Sequence, residues 1–211
     1  MGPKDTFLAR IQDETTKKFA MVNYGPWDRL DGNKPFITEA GPKPEGANFY
    51  PVDMKKEEFE ALNDANKKSL YTLIRRNEDG SLRSIWYHEA YETQLKKAAE
   101  LKKQAAALAE DVGLKKYLEM RADALLTSQY QASDFAWMEM RSSNIDFVVG
   151  PIENYEDALF GYKAAFESYI LIKDPVWSAL LVKYAAMLPD LQRGLPAKDE
   201  YKKEIPGADA D

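Results

Sequence analysis

The sequence predicts an α+β fold, mainly helical, in which helical hairpins accompany a small antiparallel β-sheet. Three observations predict it. Residues 89–127 are rich in Ala, Leu, Lys and Glu, and their apolar residues recur every three or four positions, the period of a helix with one buried face. Leu70–Arg75 and Leu82–Tyr87 flank Asn77-Glu78-Asp79-Gly80, an apolar–turn–apolar pattern that signals a β-hairpin. Ile145–Val149 and Ala165–Ile172 are two further runs rich in β-branched and aromatic residues, which favour strands.

Taken in order, Asp5 or Thr6 is positioned to cap a first helix reaching about Phe19, with Phe7, Leu8, Ile11 and Phe19 on its apolar face. Residues 25–50 hold Pro26, Pro35, Pro42, Pro44, Gly25, Gly32, Gly41 and Gly46, and read as a long irregular loop. Tyr24, Trp27, Phe36, Phe49 and Tyr50 lie in or beside it, either stapling it to the core or lining a cleft. Asp53 is expected to cap a short helix ending near Leu62. Glu89–Glu110 reads as a long helix with a stripe of Tyr91, Leu95, Ala98, Leu101, Ala105 and Leu108, broken by Gly113. A second helix over Leu114–Thr127 carries Leu114, Tyr117, Leu118, Ala122 and Leu125, and the two form an antiparallel hairpin within residues 88–142. In that hairpin Leu95, Leu101 and Leu108 are expected to be buried against Leu118 and Leu125. Ser133 or Asp134 begins a short helix carrying Phe135, Trp137, Met138 and Met140. Residues 145–173 form a β-hairpin. Asp174-Pro175 then combines an N-cap with Pro at the first helical position. It opens a C-terminal helix over 174–194 with Trp177, Leu180, Leu181, Tyr184 and Leu188 at helical spacing.

Composition narrows the function. The chain has 211 residues, 45% of them hydrophobic and 12% aromatic, enough for a substantial core. Its net charge of −6 argues against nucleic-acid binding, which concentrates positive charge. Lysines cluster at Lys96-Lys97, Lys102-Lys103 and Lys115-Lys116, but Glu92, Glu100, Glu110 and Glu119 interleave with them, as on a solvated helix face. No apolar run approaches the roughly 20 residues that span a bilayer, the N-terminus lacks the apolar segment of a signal peptide, and the compartment is left open. There is no Cys, hence no disulfide framework and no thiol nucleophile. His88 and Glu92 sit four apart and could share a metal with ligands from elsewhere; a structural His at a strand-to-helix junction is the simpler reading. A Nudix hydrolase pattern of spaced Gly, Arg and Glu is absent, and no Gly-x-Ser-x-Gly elbow supports a serine triad.

The densest chemistry lies in Gly150-Pro151-Ile152-Glu153-Asn154-Tyr155-Glu156-Asp157. If this segment is an extended strand, Glu153, Tyr155 and Asp157 project from one face. A carboxylate there can hold an ammonium, and a phenol can donate a hydrogen bond to a developing oxyanion. Such a site suits the free amino end of a peptide. The competing reading is that Glu153 pairs with a lysine and Tyr155 packs against a sheet.

Gly150, Ile152, Glu153, Tyr155 and Asp157, followed by Phe166-Glu167-Ser168-Tyr169-Ile170-Leu171-Ile172, resemble the Gly-x-Ile-Glu-x-Tyr-x-Asp segment of the dipeptidyl-peptidase III family. Phe49-Tyr50-Pro51-Val52-Asp53-Met54 with Lys55–Phe59, and the hairpin at Leu73–Tyr87, extend the resemblance in order over roughly residues 49–195. That family comprises zinc metallopeptidases that remove dipeptides from peptide N-termini. The resemblance implies that Glu153 binds the substrate's ammonium, that Tyr155 is the catalytic group stabilising the carbonyl oxygen under attack, and that Phe49 is a substrate-side aromatic. Asn154 and Asp157 receive no role from it. The family's zinc site needs two helical histidines and acidic partners, and one His with no Cys cannot build it. The expectation is therefore a single structural unit spanning 1–211, an N-terminal part of a two-lobed peptidase. It would bind peptide substrate, hold no metal of its own, and partner a C-terminal catalytic lobe of the same protein carrying the zinc. The Pro206–Asp211 ending reads as a linker or a cut. A stand-alone, non-catalytic peptide-binding or helical scaffold domain is the alternative.

Overall fold

The structure is a computed structural model, and it describes residues 7–23 and 25–203. Asp5, Thr6, Tyr24 and Pro206–Asp211, each named above, lie outside the described residues. The chain is 45% helical with three small antiparallel two-stranded sheets, so the α+β, mainly α expectation is met. It divides into two compact units. One gathers the chain up to Tyr91 together with Pro151–Phe166; the other gathers Glu92–Gly150 together with the chain from Glu167 onward.

In the first unit, helix α1 spans Glu14–Asn23. Its cap is Asp13, whose carboxylate accepts from Thr16 N–H at 2.6 Å; Phe7 and Leu8 are helical too, but a break over residues 9–13 separates them from α1, so the single helix expected up to Phe19 is interrupted. The Pro/Gly stretch is not structureless. It holds a two-residue ribbon, β1 (Trp27–Asp28) with β2 (Lys34–Pro35), and Trp27 Nε1 donates to Gly41 O at 2.8 Å. The short helix α2 covers Lys56–Ala61, and its N-cap is Lys55 rather than Asp53. Lys55 N–H donates to Glu58 at 2.8 Å, while Asp53 pairs with Arg76 at 2.8 Å. The hairpin forms as read: β3 (Thr72–Arg76) pairs with β4 (Leu82–Trp86), Thr72 opposite Trp86 and Arg76 opposite Leu82. Gly80 supplies the turn with φ +85°, which costs a glycine nothing. A four-residue helix, α3 (Tyr87–Ala90), follows. Tyr50, Phe59 and Ile74 form the buried centre of this unit, with Phe49, Leu159, Phe160 and Tyr162 packed around it.

In the second unit, α4 (Glu92–Leu108) and α5 (Val112–Thr127) pack as the expected hairpin, and α6 (Gln131–Glu139) packs on α5. Leu114, Tyr117, Leu118, Ala122 and Leu125 are all buried on α5. The stripe on α4 is a different one. Leu95, Ala99, Lys102 and Ala106 are buried, whereas Leu101 is 51% exposed and Leu108 84% exposed. The face of α4 that packs is thus the one carrying the small alanines Ala99 and Ala106. Gly113 does not break the helix but sits in the first turn of α5, capped by Asp111 accepting from Leu114 N–H at 2.8 Å. Likewise Ser133 and Asp134 lie inside α6, whose N-cap is Tyr130.

Strands β5 (Ile145–Pro151) and β6 (Phe166–Ile172) pair with each other. Asp174 caps α7 (Pro175–Ala185), accepting from Val176 N–H at 2.9 Å and Trp177 N–H at 3.3 Å. The expected single C-terminal helix is two: Pro189, which lacks the N–H that helix continuity requires, starts a separate α8 (Leu188–Gly194). No described residue of α7 or α8 is buried.

Candidate functional site

The eight-residue motif begins at the end of β5 and leaves the strand at once. Gly150 is buried with φ +148°, and a Cβ there would lie 2.9 Å from Arg121 Nη1, so the position is fitted to glycine. After Pro151 the chain is irregular, held to the start of β6 by two ladder bonds. Ile152 N–H donates to Ala165 O at 3.0 Å and Ala165 N–H to Glu153 O at 2.8 Å. The chain then turns, with Asp157 N–H donating to Asn154 O at 3.0 Å.

That turn overrides the one-face reading of Glu153, Tyr155 and Asp157, because two-residue alternation holds only while the backbone stays extended. Glu153 and Tyr155 are exposed, Tyr155 at 61%, and Asp157 is buried at 3%. Among the described residues neither the Glu153 carboxylate nor the Tyr155 hydroxyl has a hydrogen-bond or ion-pair partner. The charge partners gather instead on Glu156, which pairs with Arg29 and, at 2.8 Å, with Lys43. Burial holds the Lys43 pKa below its ordinary value, with Arg29 adding to the effect.

The loop that follows is anchored by aromatic rings and buried polar groups. Phe160 stacks on Phe59 with centroids 4.5 Å apart, and Tyr162 stacks on Phe160 at 5.7 Å. The Asp157 carboxylate accepts from Tyr50 Oη at 2.6 Å. Burial foremost, then this hydrogen bond to Asp157, pushes the Tyr50 hydroxyl's pKa far above its usual value. Lys163, with no exposed surface, donates its ammonium to Lys67 O at 2.7 Å, Ser69 O at 3.0 Å and Thr72 Oγ1 at 2.8 Å. Burial lowers its pKa to about 8, against the opposing pull of Asp157 and Asp64.

Phe49, the third residue singled out by sequence, is only partly buried. It packs at the Tyr50–Phe59–Ile74 centre, and its carbonyl accepts from Ile74 N–H at 2.9 Å. It thus lies in the same unit as Glu153 and Tyr155, and its described contacts are with the core. A cleft of about 370 Å³ lined by Asn48, Tyr50, Asp53, Arg75 and Arg76 lies nearby in sequence; neither Glu153 nor Tyr155 lines it. His88 stacks on Trp86 with centroids 6.2 Å apart. Among the described residues no three His, Cys, Asp or Glu side chains are placed to hold a metal, so this donor set does not fit a zinc centre.

Sequence reasoning missed the second unit's buried cations. Lys102 is 4% exposed, its Nζ 4.0 Å from the Phe147 ring centroid and 5.7 Å from that of Tyr117. Burial, with Arg121 adding repulsion, lowers its pKa to about 7. Arg121, 3% exposed, lies between the Tyr117 and Tyr130 rings and pairs with Asp134. Nothing in a row of alternating Lys and Glu marks Lys102 out. Only the packing of Phe147 against that turn of α4 selects it.

Solved structures of dipeptidyl-peptidase III match this chain, in line with the motif's resemblance. No family model matches the chain. The structure of dipeptidyl-peptidase III from Caldithrix abyssi matches with a TM-score of 0.83 and 43% identity, covering 95% of this chain and 40% of that one. That of dipeptidyl-peptidase III from Corallococcus sp. strain EGB matches with a TM-score of 0.75 and 36% identity, covering 96% of this chain and 39% of that one. Nudix hydrolase 3 of Arabidopsis thaliana is 32% identical over 253 aligned positions, covering 94% of this chain and 33% of that protein. The chain therefore spans well under half the length of the proteins it matches. The Nudix residue pattern is absent from it.

Proposed function

We propose, from the premise that the chain is dipeptidyl-peptidase III-like, that it is the substrate-gripping part of a zinc-dependent exopeptidase releasing dipeptides from peptide N-termini. Glu153 receives the peptide's terminal ammonium, and Tyr155 donates a hydrogen bond to the carbonyl oxygen under attack. Phe49 contributes an aromatic surface on the substrate side. Zinc and the residues that hold it come from the part of the dipeptidyl-peptidase III length that this chain does not span; that catalytic lobe is its partner.

One observation carries the reading. Within a motif matched in order to the family, the two residues with assigned chemistry are exposed and unpaired among the described residues, while the intervening and following polar groups are engaged. An exposed carboxylate without a partner is free to take an ammonium, and a charge-assisted hydrogen bond of that kind is among the stronger ones. The test is calorimetric binding of tetra-alanine and its N-acetylated twin to the chain. Wild type should favour the free amine by about tenfold or more, the size expected of one hydrogen bond to a charged group. Glu153→Gln should abolish that preference. Equal affinity of wild type for the two peptides sinks the assignment. The alternative, a peptide-binding module without catalysis, predicts the same binding and is separated from the first reading by assaying dipeptide release from a longer protein that contains this chain.

A further inference from the structure

Asp157 is a residue of the motif to which the family resemblance assigns no role, and the structure surrounds it with donors. Its Oδ1 accepts from Leu159 N–H at 3.2 Å and Phe160 N–H at 3.1 Å. Its Oδ2 accepts from Tyr162 N–H at 2.9 Å, Lys163 N–H at 3.1 Å and the Tyr50 hydroxyl at 2.6 Å. Its carbonyl accepts from Gly161 N–H at 2.9 Å. The N–H groups of 159 to 163 are thus all spent on this one residue. A buried carboxylate with five donors is satisfied; a buried carboxylate with fewer is costly.

The same wrapping reaches back to the two site residues. Asn154, which sits between them, accepts from Asp157 N–H and donates its side-chain amide to Gly161 O. Glu153 O accepts from Ala165 N–H, and Ala164 N–H donates to Leu70 O at 2.9 Å. Tyr87 Oη also donates to Ala164 O at 2.8 Å, and Lys163 holds three acceptors in residues 67–72. The backbone on both sides of Glu153 and Tyr155 is therefore tied through the loop to the body of the unit.

We propose that Asp157 is a positioning residue: its carboxylate, gripped by Tyr50 and the 159–163 backbone, fixes the loop so that Glu153 and Tyr155 are presented outward in the geometry that receives a peptide's amino end. This rests on the function proposed above. Binding groups held in place before the ligand arrives lose less entropy when it binds. Loosening the loop should thus weaken recognition of the ammonium even though Asp157 does not touch it.

The test is the ratio of affinities for tetra-alanine over N-acetyl-tetra-alanine, measured by calorimetry on the 211-residue chain at a temperature where circular dichroism shows each variant folded. Asp157→Asn keeps the shape but turns an amide N–H₂ toward N–H donors. It should bring the ratio from about tenfold down to near one, as Glu153→Gln does. Tyr50→Phe removes a single donor and should lower the ratio by roughly two- to threefold, which keeps the test available if Asp157→Asn does not fold. A lowered melting temperature with the wild-type ratio retained, in whichever of the two variants folds, overturns the positioning role and leaves the function standing. A wild type that does not discriminate the two peptides overturns both.

Discussion

At the scale of single residues, the buried lysines divide by what surrounds them. Lys163 is met by two carbonyls and a hydroxyl; Lys102 has two aromatic rings and the neighbouring Arg121. Ring faces attract a cation but replace water's hydrogen bonds poorly. Its pKa is accordingly held at about 7, below the ordinary lysine value of 10.5. The folded state sheds this proton first, and the unfolded chain retains it until the pH approaches 10.5. Stability therefore rises with pH from about 7 upward, because the unfolded state binds more protons there. Lys163, with its pKa at about 8, adds to the slope above that pH. Lys102→Met should be more stable than wild type at pH 6, with the advantage shrinking by pH 9. Urea midpoints of both proteins at pH 6, 7, 8 and 9 check this; a constant difference across the range would show that Lys102 does not titrate in the window.

At the scale of elements, the helical hairpin shows which apolar residues matter. Leu118 on α5 is 2% exposed and belongs to the cluster with Ala106, Leu114, Tyr117 and Ala136. Leu118→Ala should cost about 2–5 kcal/mol, the loss of a buried leucine plus the cavity it leaves. Leu101→Ala, on the exposed side of α4, should cost under about 0.5 kcal/mol. Equal losses in denaturant melts would mean that the helix is rotated from the face described. Lys102 and Arg121 apart, which are buried, charged residues of these helices lie on a solvated face as the sequence suggests: Lys96–Glu92, Lys97–Glu100, Lys103–Asp123 and Lys116–Glu139 pair in exposed positions. Such pairs contribute little each, so the hairpin rests on its apolar and alanine contacts.

At the scale of the whole molecule, apolar surface is unevenly distributed. Ile170, Leu171 and Ile172 of β6 are 59%, 56% and 79% exposed, and Val176, Trp177 and Leu181 of α7 are 68%, 64% and 57% exposed. So many large apolar side chains open to solvent within one short stretch of sequence offer apolar surface to a hydrophobic probe. The chain should therefore bind the dye ANS in its native state, and Trp177→Lys with Leu181→Lys should lower that fluorescence several-fold. Because neither side chain is buried, stability should change by less than about 0.5 kcal/mol per substitution. Unchanged dye binding would place the exposed apolar surface elsewhere. No helix among the described residues is long and apolar enough to cross a membrane.

The sequence by itself determined what depends on neighbours along the chain. The hairpin at Asn77–Gly80, the Asp174-Pro175 cap and the buried face of α5 follow from turn chemistry, capping and helical periodicity, all local in origin. The motif at Gly150–Asp157 stood out as a candidate site for the same reason: a dense run of chemically able residues is visible without a fold. Tertiary structure decided the rest. It turned Asp157 inward, because the 159–163 backbone and Tyr50, 107 positions away, offered donors that no local pattern predicts. It rotated α4 so that Ala99, Lys102 and Ala106 face the core in place of Leu101 and Leu108, with Lys102 packed on the Phe147 ring. It also left α7 without a buried residue. Side-chain burial is a property of what packs against an element, and periodicity shows only that an element has a face to bury.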